Sequence, residues 1–323
     1  MNNILNDVSV VIPTYNRSAE IKETLARIVP NNIKEILIID QSTIIEEADK
    51  IKEICLSFKK SKCPPKYFHF NFASTAMARN KGVSLVNKNT KIISFIDDDV
   101  TIPNNYFNVI IDKFNNNSEI FGVSAYQSTP LSKKLYIFDL LVRGLFFLRN
   151  YDKDKCRMSS PYGNTYPANL KKDIYTEWFP GFNTAYKKEI FNKYKFNDAL
   201  GGYSLAEDTD FSYNLFLKNP KALLLTPDAI VEHRYSMIER VDLKKLSYIN
   251  QIDHFYMYWK YKHSFNRFTF YWSILGIFFF RTLLLLTFKS EAKIKWLYFI
   301  KSLKYCIKNK DKIMNGKMRD FVI

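Results

Sequence analysis

The sequence has few of the residues that build metal clusters, disulfide frameworks and glycine-rich nucleotide loops. Its four cysteines are Cys55, Cys63, Cys156 and Cys306, and no C-x-x-C pair occurs. This spacing argues against a structural zinc site or a disulfide framework, and it is typical of a reducing compartment. Only nine glycines are present, and neither G-x-G-x-x-G nor G-x-x-x-x-G-K-[ST] occurs. A dinucleotide dehydrogenase and a P-loop enzyme are therefore disfavoured.

A secretory signal is also missing from the sequence. The N-terminus leads directly into the strand-like run VSVVIP, without the basic and apolar regions of a signal peptide. We therefore expect the N-terminal part of the chain to face the cytoplasm.

The composition is that of a globular protein with an unevenly distributed positive charge. The chain has 323 residues, of which 47% are hydrophobic and 25% charged, and its net charge is +16. Residues 241–323 hold 16 Lys and Arg against 5 Asp and Glu, so they carry most of this charge. We predict a first domain at 1–240 and a basic, aromatic second region at 241–323. Such a region favours an anionic partner, either a bilayer or nucleic acid, unless it is simply a solvated basic face.

Short β-branched runs alternate with amphipathic stretches along the first hundred residues. This alternation predicts βαβ units and an α/β fold with a parallel sheet. Ligands of such sheets collect beyond the carboxyl ends of the strands. The predicted strands are 8–12, 36–39, 67–70 and 92–96, and the predicted helices are 19–28, 46–58 and 75–86.

Carboxylates stand at two of these strand ends. Asp40 follows the second strand, and Asp97, Asp98 and Asp99 follow the fourth. Three adjacent aspartates repel one another, and a divalent cation with a preference for oxygen ligands, such as Mg²⁺ or Mn²⁺, would relieve that repulsion. The alternative is a solvated turn or a helix cap.

A second group of acids and one histidine lie further along the chain. Glu207 and Asp208 precede a helix predicted near Thr209, where they are either a catalytic base or acids favoured by the helix dipole. His233 follows a strand-like run and is either a metal ligand or a structural histidine.

Six segments, in this order and spacing, resemble family 2 glycosyltransferases. They are VVIPTYNR (10–17), ILIIDQS (36–42), ASTAMARNKGV (73–83), FIDDDVTIP (95–103), WFPGFNTAYKKEIF (178–191) and GGYSLAEDTDFSYNL (201–215). The resemblance runs from about residue 8 to residue 233. It implies the GT-A fold, with a Rossmann-like, mostly parallel central sheet flanked by helices. It also implies inverting transfer from a nucleotide-linked sugar, with UDP as the commonest nucleotide.

The resemblance also assigns roles to the residues that match its motifs. Pro13 and Tyr15 would line the nucleotide pocket, and Asp40 would bond the base. Arg79 would lie near the phosphates. One departure is Gln41, because many relatives have D-D-G-S where this chain has DQST.

The same resemblance places the metal and the base. Asp97 and Asp98 would contact the ribose and the diphosphate, and the metal ligands would be Asp97, Asp99 and His233. Asp208 would be the general base, as in the E-D pair of the family, and Glu207 beside it would be a further residue that binds the nucleotide-sugar.

The C-terminal region contains an apolar stretch and a basic amphipathic one. Residues 268–288 are long enough to cross a bilayer, but Arg281 lies within them, so an interfacial or re-entrant helix is the alternative. Residues 294–307 read as a basic amphipathic helix on an anionic membrane or as part of a packed hairpin, and the apolar stretch 135–148 could add to the same face. We expect attachment at the cytoplasmic face of the membrane, a lipid-linked acceptor or growing cell-surface glycan, and no nucleic acid as partner.

Two other functions fit parts of the sequence. A membrane-bound scaffold or sugar-nucleotide sensor could keep the fold without turnover, although it would need no catalytic base. A nucleotidyltransferase would share the nucleotide-binding half, but VIPTYNRS lacks the glycines of its phosphate loop.

Overall fold

The structure is a computed structural model that describes residues 7–127, 143–148, 156–236 and 241–315. Most of the predicted apolar helix at 135–148 lies outside these residues. The chain divides into two compact units. The first, which we call the sheet unit, comprises the described residues up to 127 with 170–198 and 207–236. The second, the helical unit, comprises the described residues of 129–169, residues 199–206 and 241–315.

The sheet unit alternates strands and helices, as the sequence predicts. The strands are β1 (Val8–Thr14), β2 (Glu35–Asp40), β3 (Pro65–His69), β4 (Ile92–Ile96), β5 (Val100–Thr101), β6 (Gly122–Gln127), β7 (Ile174–Tyr175), β8 (Asn183–Lys187) and β9 (Leu223–His233). The helices are α1 (Ser18–Ile28), α2 (Ile45–Ser57), α3 (Thr75–Leu85), α4 (Tyr106–Asn116) and α5 (Glu207–Lys218), with short 3₁₀ turns at Lys188–Asn192 and Asp198–Leu200.

The strands are arranged in the order β3-β2-β1-β4-β8-β6-β9-β5, and β7 pairs with β9. Strands β1 to β4 are mutually parallel, β8 is antiparallel to both β4 and β6, and β6 is parallel to β9. Of the seven longer strands, β8 alone therefore runs in the opposite direction. This arrangement confirms the predicted α/β fold. The sheet is mostly parallel, and its first four strands are all parallel to one another.

Burial explains why the central strands are so apolar. Every residue of β1, β2 and β4 is buried, as expected for strands with covered faces on both sides. Helix α1 contributes Ile21, Leu25 and Ile28 to this core, and α4 contributes Tyr106 and Ile110. Gly82 of α3 lies so close to Val11 that an added Cβ would be 2.3 Å from its Cγ1, and α3 can therefore pack tightly against β1.

The helical unit is built from α6 (Leu243–Lys260), α7 (Arg267–Leu284), α8 (Ser290–Lys308) and α9 (Lys310–Met314), with a 3₁₀ turn at Leu285–Thr287. Asp242 caps α6, because its Oδ1 accepts from the backbone N–H groups of Lys244 and Lys245. Tyr258 of α6 stacks on Phe270 of α7, with ring centroids 3.9 Å apart. The helical stretch Arg267–Thr287 is long and apolar enough to cross a membrane by length and composition. The domain boundary at 240/241 stays a prediction.

Candidate active site

The three aspartates lie in the turn after β4, at the carboxyl end of the sheet. Strands β1 and β2 end at the same edge of the sheet, because Thr14, the last residue of β1, is the register partner of Asp40, the last residue of β2. Strand β9 reaches the turn from the other side, where Val100 pairs with His233. The acidic turn therefore contacts the ends of β1 and β9, and β2 ends at the same edge of the sheet, as the strand-end rule predicts.

Asp98 points into the sheet unit. Its Oδ2 accepts a hydrogen bond from the Thr14 hydroxyl at 2.7 Å, and its Oδ1 lies 3.2 Å from Nη1 of Arg17. Burial raises the pKa of Asp98 to about 7, although Arg17 and Thr14 both favour the ionised form. These contacts give Asp98 a role in holding the turn. Its predicted contact with the donor stays a prediction.

Asp99 and His233 form a close pair. The His233 Nε2 lies 3.0 Å from Asp99 Oδ1, and the Ser236 N–H donates to Asp99 Oδ2 at 3.1 Å. Burial alone would raise the pKa of Asp99, but the contact with His233, together with the Ser236 N–H and Arg17, holds this pKa below its usual value. The imidazole lies between the rings of Phe182 and Tyr235, at centroid distances of 4.7 and 4.2 Å. These rings fix its plane.

The donor set of this pair fits a divalent cation. Within the described residues, no three His, Cys, Asp or Glu side chains form a ready-made metal site. Two neighbouring ligands at ~2.1 Å from one octahedral ion lie about 3 Å apart, which matches the separation of Asp99 Oδ1 and His233 Nε2. A carboxylate and an imidazole could therefore hold Mn²⁺ or Mg²⁺ once the diphosphate of a nucleotide supplies further oxygens. Asp97, the third predicted ligand, stays a prediction.

Arg234 clamps the acidic turn and was not identified from the sequence. Its backbone N–H donates to the Asp99 carbonyl at 3.0 Å, and its Nη2 donates to the Asp98 carbonyl at 3.1 Å. The guanidinium also donates to Thr101 Oγ1 at 2.8 Å and to Thr24 Oγ1 at 3.1 Å. In the sequence, its position directly after His233, a predicted metal ligand, could have identified it.

Arg79 of α3 is the centre of a second group of charges. Its side chain is 2% exposed, and its guanidinium lies 3.2 Å from Asp97 Oδ1 and 3.3 Å from Glu207 Oε1. Nη2 also donates to the Gly181 carbonyl at 3.1 Å. Burial alone would lower the pKa of Arg79, but Asp97, Glu207 and Asp208 raise it overall. The guanidinium therefore joins the acidic turn after β4 to the start of α5.

Asp208 is half-buried in the first turn of α5. Its Oδ1 accepts from the Thr209 N–H at 2.6 Å, and its Oδ2 accepts from the Gly181 N–H. Burial raises the pKa of Asp208, while Arg79 opposes this increase. Two backbone donors thus fix the orientation of a partly exposed carboxylate, which has the chemistry of a general base.

Gly181 also belongs to this group, and the sequence alone indicated no role for it. A Cβ at this position would lie 2.8 Å from both Arg79 Nη2 and Asp208 Cβ. In the sequence it stands within WFPGFN, two residues before the start of β8. Its missing side chain lets Arg79 and Asp208 approach the same stretch of backbone.

Replacing Gly181 with alanine is expected to displace Arg79 or Asp208, which the sequence predicts to act in the reaction. The expected result is a kcat reduced at least tenfold, because a small misplacement of catalytic groups is costly. Steady-state kinetics of the Gly181→Ala variant measures the effect, and thermal melting checks that the fold persists. An unchanged kcat in a folded variant would contradict the predicted roles of Arg79 and Asp208 in the reaction.

The residues predicted for the nucleotide pocket lie at the ends of β1 and β2. Pro13 is buried in β1, and the Tyr15 hydroxyl is 3.1 Å from Thr43 Oγ1. Asp40 is fully buried: its Oδ1 accepts from the Ser42 N–H at 2.8 Å, and its Oδ2 accepts from the Tyr67 hydroxyl at 2.7 Å. The predicted contacts of these residues with a nucleotide stay predictions.

Gln41 is also fixed by the fold. Its Oε1 accepts from the Ser74 N–H at 2.6 Å, immediately before α3 begins. The residue that departs from the family pattern therefore ties β2 to the helix that carries Arg79.

The chain is similar in sequence to known glycosyltransferases. The glycosyl transferase family 2 profile matches residues 9–195. An uncharacterized glycosyltransferase of Rickettsia conorii is 32% identical over 147 residues, which are 44% of this chain and 23% of that protein. The glycosyltransferase GlyA of Streptococcus pneumoniae is 24% identical over 221 residues, or 68% of this chain and 29% of that protein. The chain thus matches less than a third of the length of either relative.

Solved structures support the GT-A fold. The mannosyltransferase PcManGT of Pyrobaculum calidifontis, in complex with GDP-Man and Mn²⁺, superposes with a TM-score of 0.55 at 13% identity, covering 94% of this chain and 88% of that one. GalNAc-T7, with UDP, GalNAc and Mn²⁺, gives a TM-score of 0.50 at 14% identity, covering 94% and 58%. The profile match covers more than half of the sequence and identifies the chain as a member of glycosyl transferase family 2.

Proposed function

We propose that the chain is an inverting, metal-dependent glycosyltransferase of hexosyltransferase type, which moves a sugar from a nucleoside-diphosphate sugar to an acceptor hydroxyl. The observation that carries this proposal is the single hydrogen-bonded group of Asp97, Arg79, Gly181 and Asp208. It links a carboxylate of the acidic turn to a half-buried carboxylate with the chemistry of a base.

In the proposed reaction, one set of groups stabilises the charge on the leaving diphosphate, and another group accepts the proton of the acceptor hydroxyl. Negative charge develops on the departing diphosphate, and a Mn²⁺ or Mg²⁺ ion held by Asp99 and His233 would stabilise it as a Lewis acid. Arg79 adds a fixed positive charge close to Asp97. Asp208 accepts the proton of the acceptor hydroxyl as that oxygen attacks the anomeric carbon from the opposite face, so the anomeric configuration inverts.

The donor and acceptor are proposed on separate grounds. PcManGT was solved with GDP-Man and GalNAc-T7 with UDP, which supports a nucleotide sugar as donor, and we propose a UDP-sugar. The basic, aromatic helical unit supports a lipid-linked acceptor or a growing cell-envelope glycan. We place the reaction at the cytoplasmic face of the membrane, with no role for nucleic acid.

Release of nucleoside diphosphate by the purified chain tests the proposed function. A panel of UDP-, GDP- and dTDP-sugars is incubated with Mn²⁺, with and without membrane lipid extract, and one donor is expected to give turnover. A matched Asp208→Asn preparation must lose that turnover. Donor binding without any turnover in the native chain would favour the sensor function instead.

The Asp99→Ala variant is expected to lose metal-dependent donor binding, with an apparent Mn²⁺ affinity lowered about 10–100-fold, because one of the two paired donors is gone. Titration calorimetry with Mn²⁺ and the nucleotide measures this affinity. The matched control is Asp112→Ala, an exposed carboxylate on α4. An unaltered metal requirement in Asp99→Ala would count against the Asp99–His233 site.

A further inference from the structure

The helical unit presents one continuous apolar strip to its surroundings. Six large side chains of α7 and the following turn are 44–70% exposed. Their spacing of three or four residues places them on one side of the helix, over about 27 Å at 1.5 Å per residue. We call them the apolar stripe: Phe268, Tyr271, Leu275, Phe279, Leu283 and Leu286.

The opposite side of α7 is packed within the helical unit. Phe270 stacks on Tyr258 of α6, and the Ser273 hydroxyl lies 3.1 Å from that of Ser160. Gly276 is so close to Phe146 that an added Cβ would be 2.4 Å from its ring. The helix is therefore two-sided, with one side in the protein core and the apolar stripe outside.

The C-terminal half of α7 is joined to α8. Arg281, the charge that lies within the apolar stretch, donates to the Lys295 carbonyl and stands 4.8 Å above the Phe299 ring. The Trp296 indole N–H donates to the Thr282 hydroxyl at 3.0 Å. Arg281 is thus accommodated by α8 and does not belong to the apolar stripe.

This packing argues against α7 crossing a bilayer. Helix α8 lies against α7, so a spanning α7 would carry α8 into the hydrocarbon. Exposed charges on α8 would then lie in the bilayer core, where each one is costly. These charges are Glu291, Lys293, Lys301, Lys304 and Lys308.

The charges around the apolar stripe identify its partner. Exposed cations flank both of its ends, Lys262 and Arg267 before it and Lys289 and Lys293 after it. The sequence between His254 and Ser290 contains no Asp or Glu. Apolar side chains bordered by cations match the interface of a bilayer that contains anionic lipids, where the apolar part inserts and the cations meet phosphate groups.

We propose that α7 lies in the plane of an anionic membrane surface, with the apolar stripe inserted and the helix ends on the same side of the bilayer. This surface holds the helical unit on the membrane without α7 crossing the bilayer. The inference does not depend on sugar transfer.

Vesicle flotation with the full chain tests the partner. Binding to phosphatidylcholine vesicles containing 30% phosphatidylglycerol is expected, with at least tenfold weaker binding to pure phosphatidylcholine or at 0.5 M salt. The Leu275→Asp and Phe279→Asp variants change exposed residues and are each expected to reduce binding at least tenfold. Ile45→Asp, at a 74% exposed residue of α2, is the matched control and should bind normally. Full binding by both stripe variants would overturn the proposal.

Labelling of single cysteines tests the orientation. The four native cysteines are buried, so Lys262→Cys and Lys289→Cys each supply one accessible thiol. With protein added to preformed vesicles, an impermeant maleimide is expected to label both positions from outside. Protection of one position until detergent is added would establish a spanning helix and overturn the in-plane orientation. A stripe-dependent dimer that binds no vesicle, detected by light scattering, would assign the surface to a second copy of the chain.

Discussion

Asp208→Asn is expected to reduce transfer by about 10²–10⁴-fold, the range for the loss of a general base, while donor binding stays close to that of the native chain. An amide cannot accept the proton of the attacking hydroxyl. The asparagine oxygen can still accept from one of the two backbone N–H groups, those of Gly181 and Thr209, that orient the carboxylate. The loss should therefore appear in kcat.

Single-turnover kinetics with the active donor and calorimetry of donor binding separate the two effects. Asp112→Asn, on the exposed side of α4, controls for the loss of a carboxylate elsewhere in the sheet unit. Transfer at the native rate by Asp208→Asn would exclude this carboxylate as the base and would make Glu207 or Asp97 the next candidate for the general base.

Arg79→Met is expected to lower the free energy of unfolding by about 3 kcal/mol and to abolish transfer. Removal of one member of a buried ion pair leaves the other charge without compensation, at a cost of ~3–5 kcal/mol. Asp97 keeps 29% of its side chain exposed and can be solvated, whereas Glu207 keeps 8%. We therefore expect a value at the lower end of this range.

Urea denaturation of the full chain, monitored by tryptophan fluorescence, measures the loss in the free energy of unfolding. The double variant Arg79→Met with Glu207→Gln should recover about 1 kcal/mol or more, because it removes the charge left behind. Lys81→Met, at a partly exposed residue of the same helix, should change stability by no more than about 0.5 kcal/mol. An Arg79→Met variant as stable as the native chain would contradict the buried charge group.

The parallel half of the fold could be predicted from local sequence patterns. Four β-branched runs and three amphipathic helices give β1 to β4 and α1 to α3, because each βαβ unit is defined by neighbouring residues. Strand β8 is different. It is antiparallel and lies between β4 and β6, far from β4 in the sequence, and periodicity does not determine such a long-range pairing.

The site was predictable in outline for a similar reason. Strand ends identified the acidic turn, and the E-D pair identified Glu207 and Asp208. The directions of the side chains could not be predicted from the sequence, because three adjacent aspartates look equivalent there. In the structure, Asp98 contacts Thr14 and Arg17, whereas Asp99 contacts His233. Those directions are set by partners that are distant in the chain.

The insertion of β8 also has a consequence for how the protein reaches its native state. The Asp97 N–H donates to the Phe182 carbonyl just before β8, which joins segments roughly 85 residues apart. Closing such a loop is slow, because its entropy must be lost before the contact is made. The β1–β4 half is thus expected to become ordered first, and Gly181 reaches Arg79 only in the last stage of folding. Catalytic competence would therefore lag behind secondary structure during refolding.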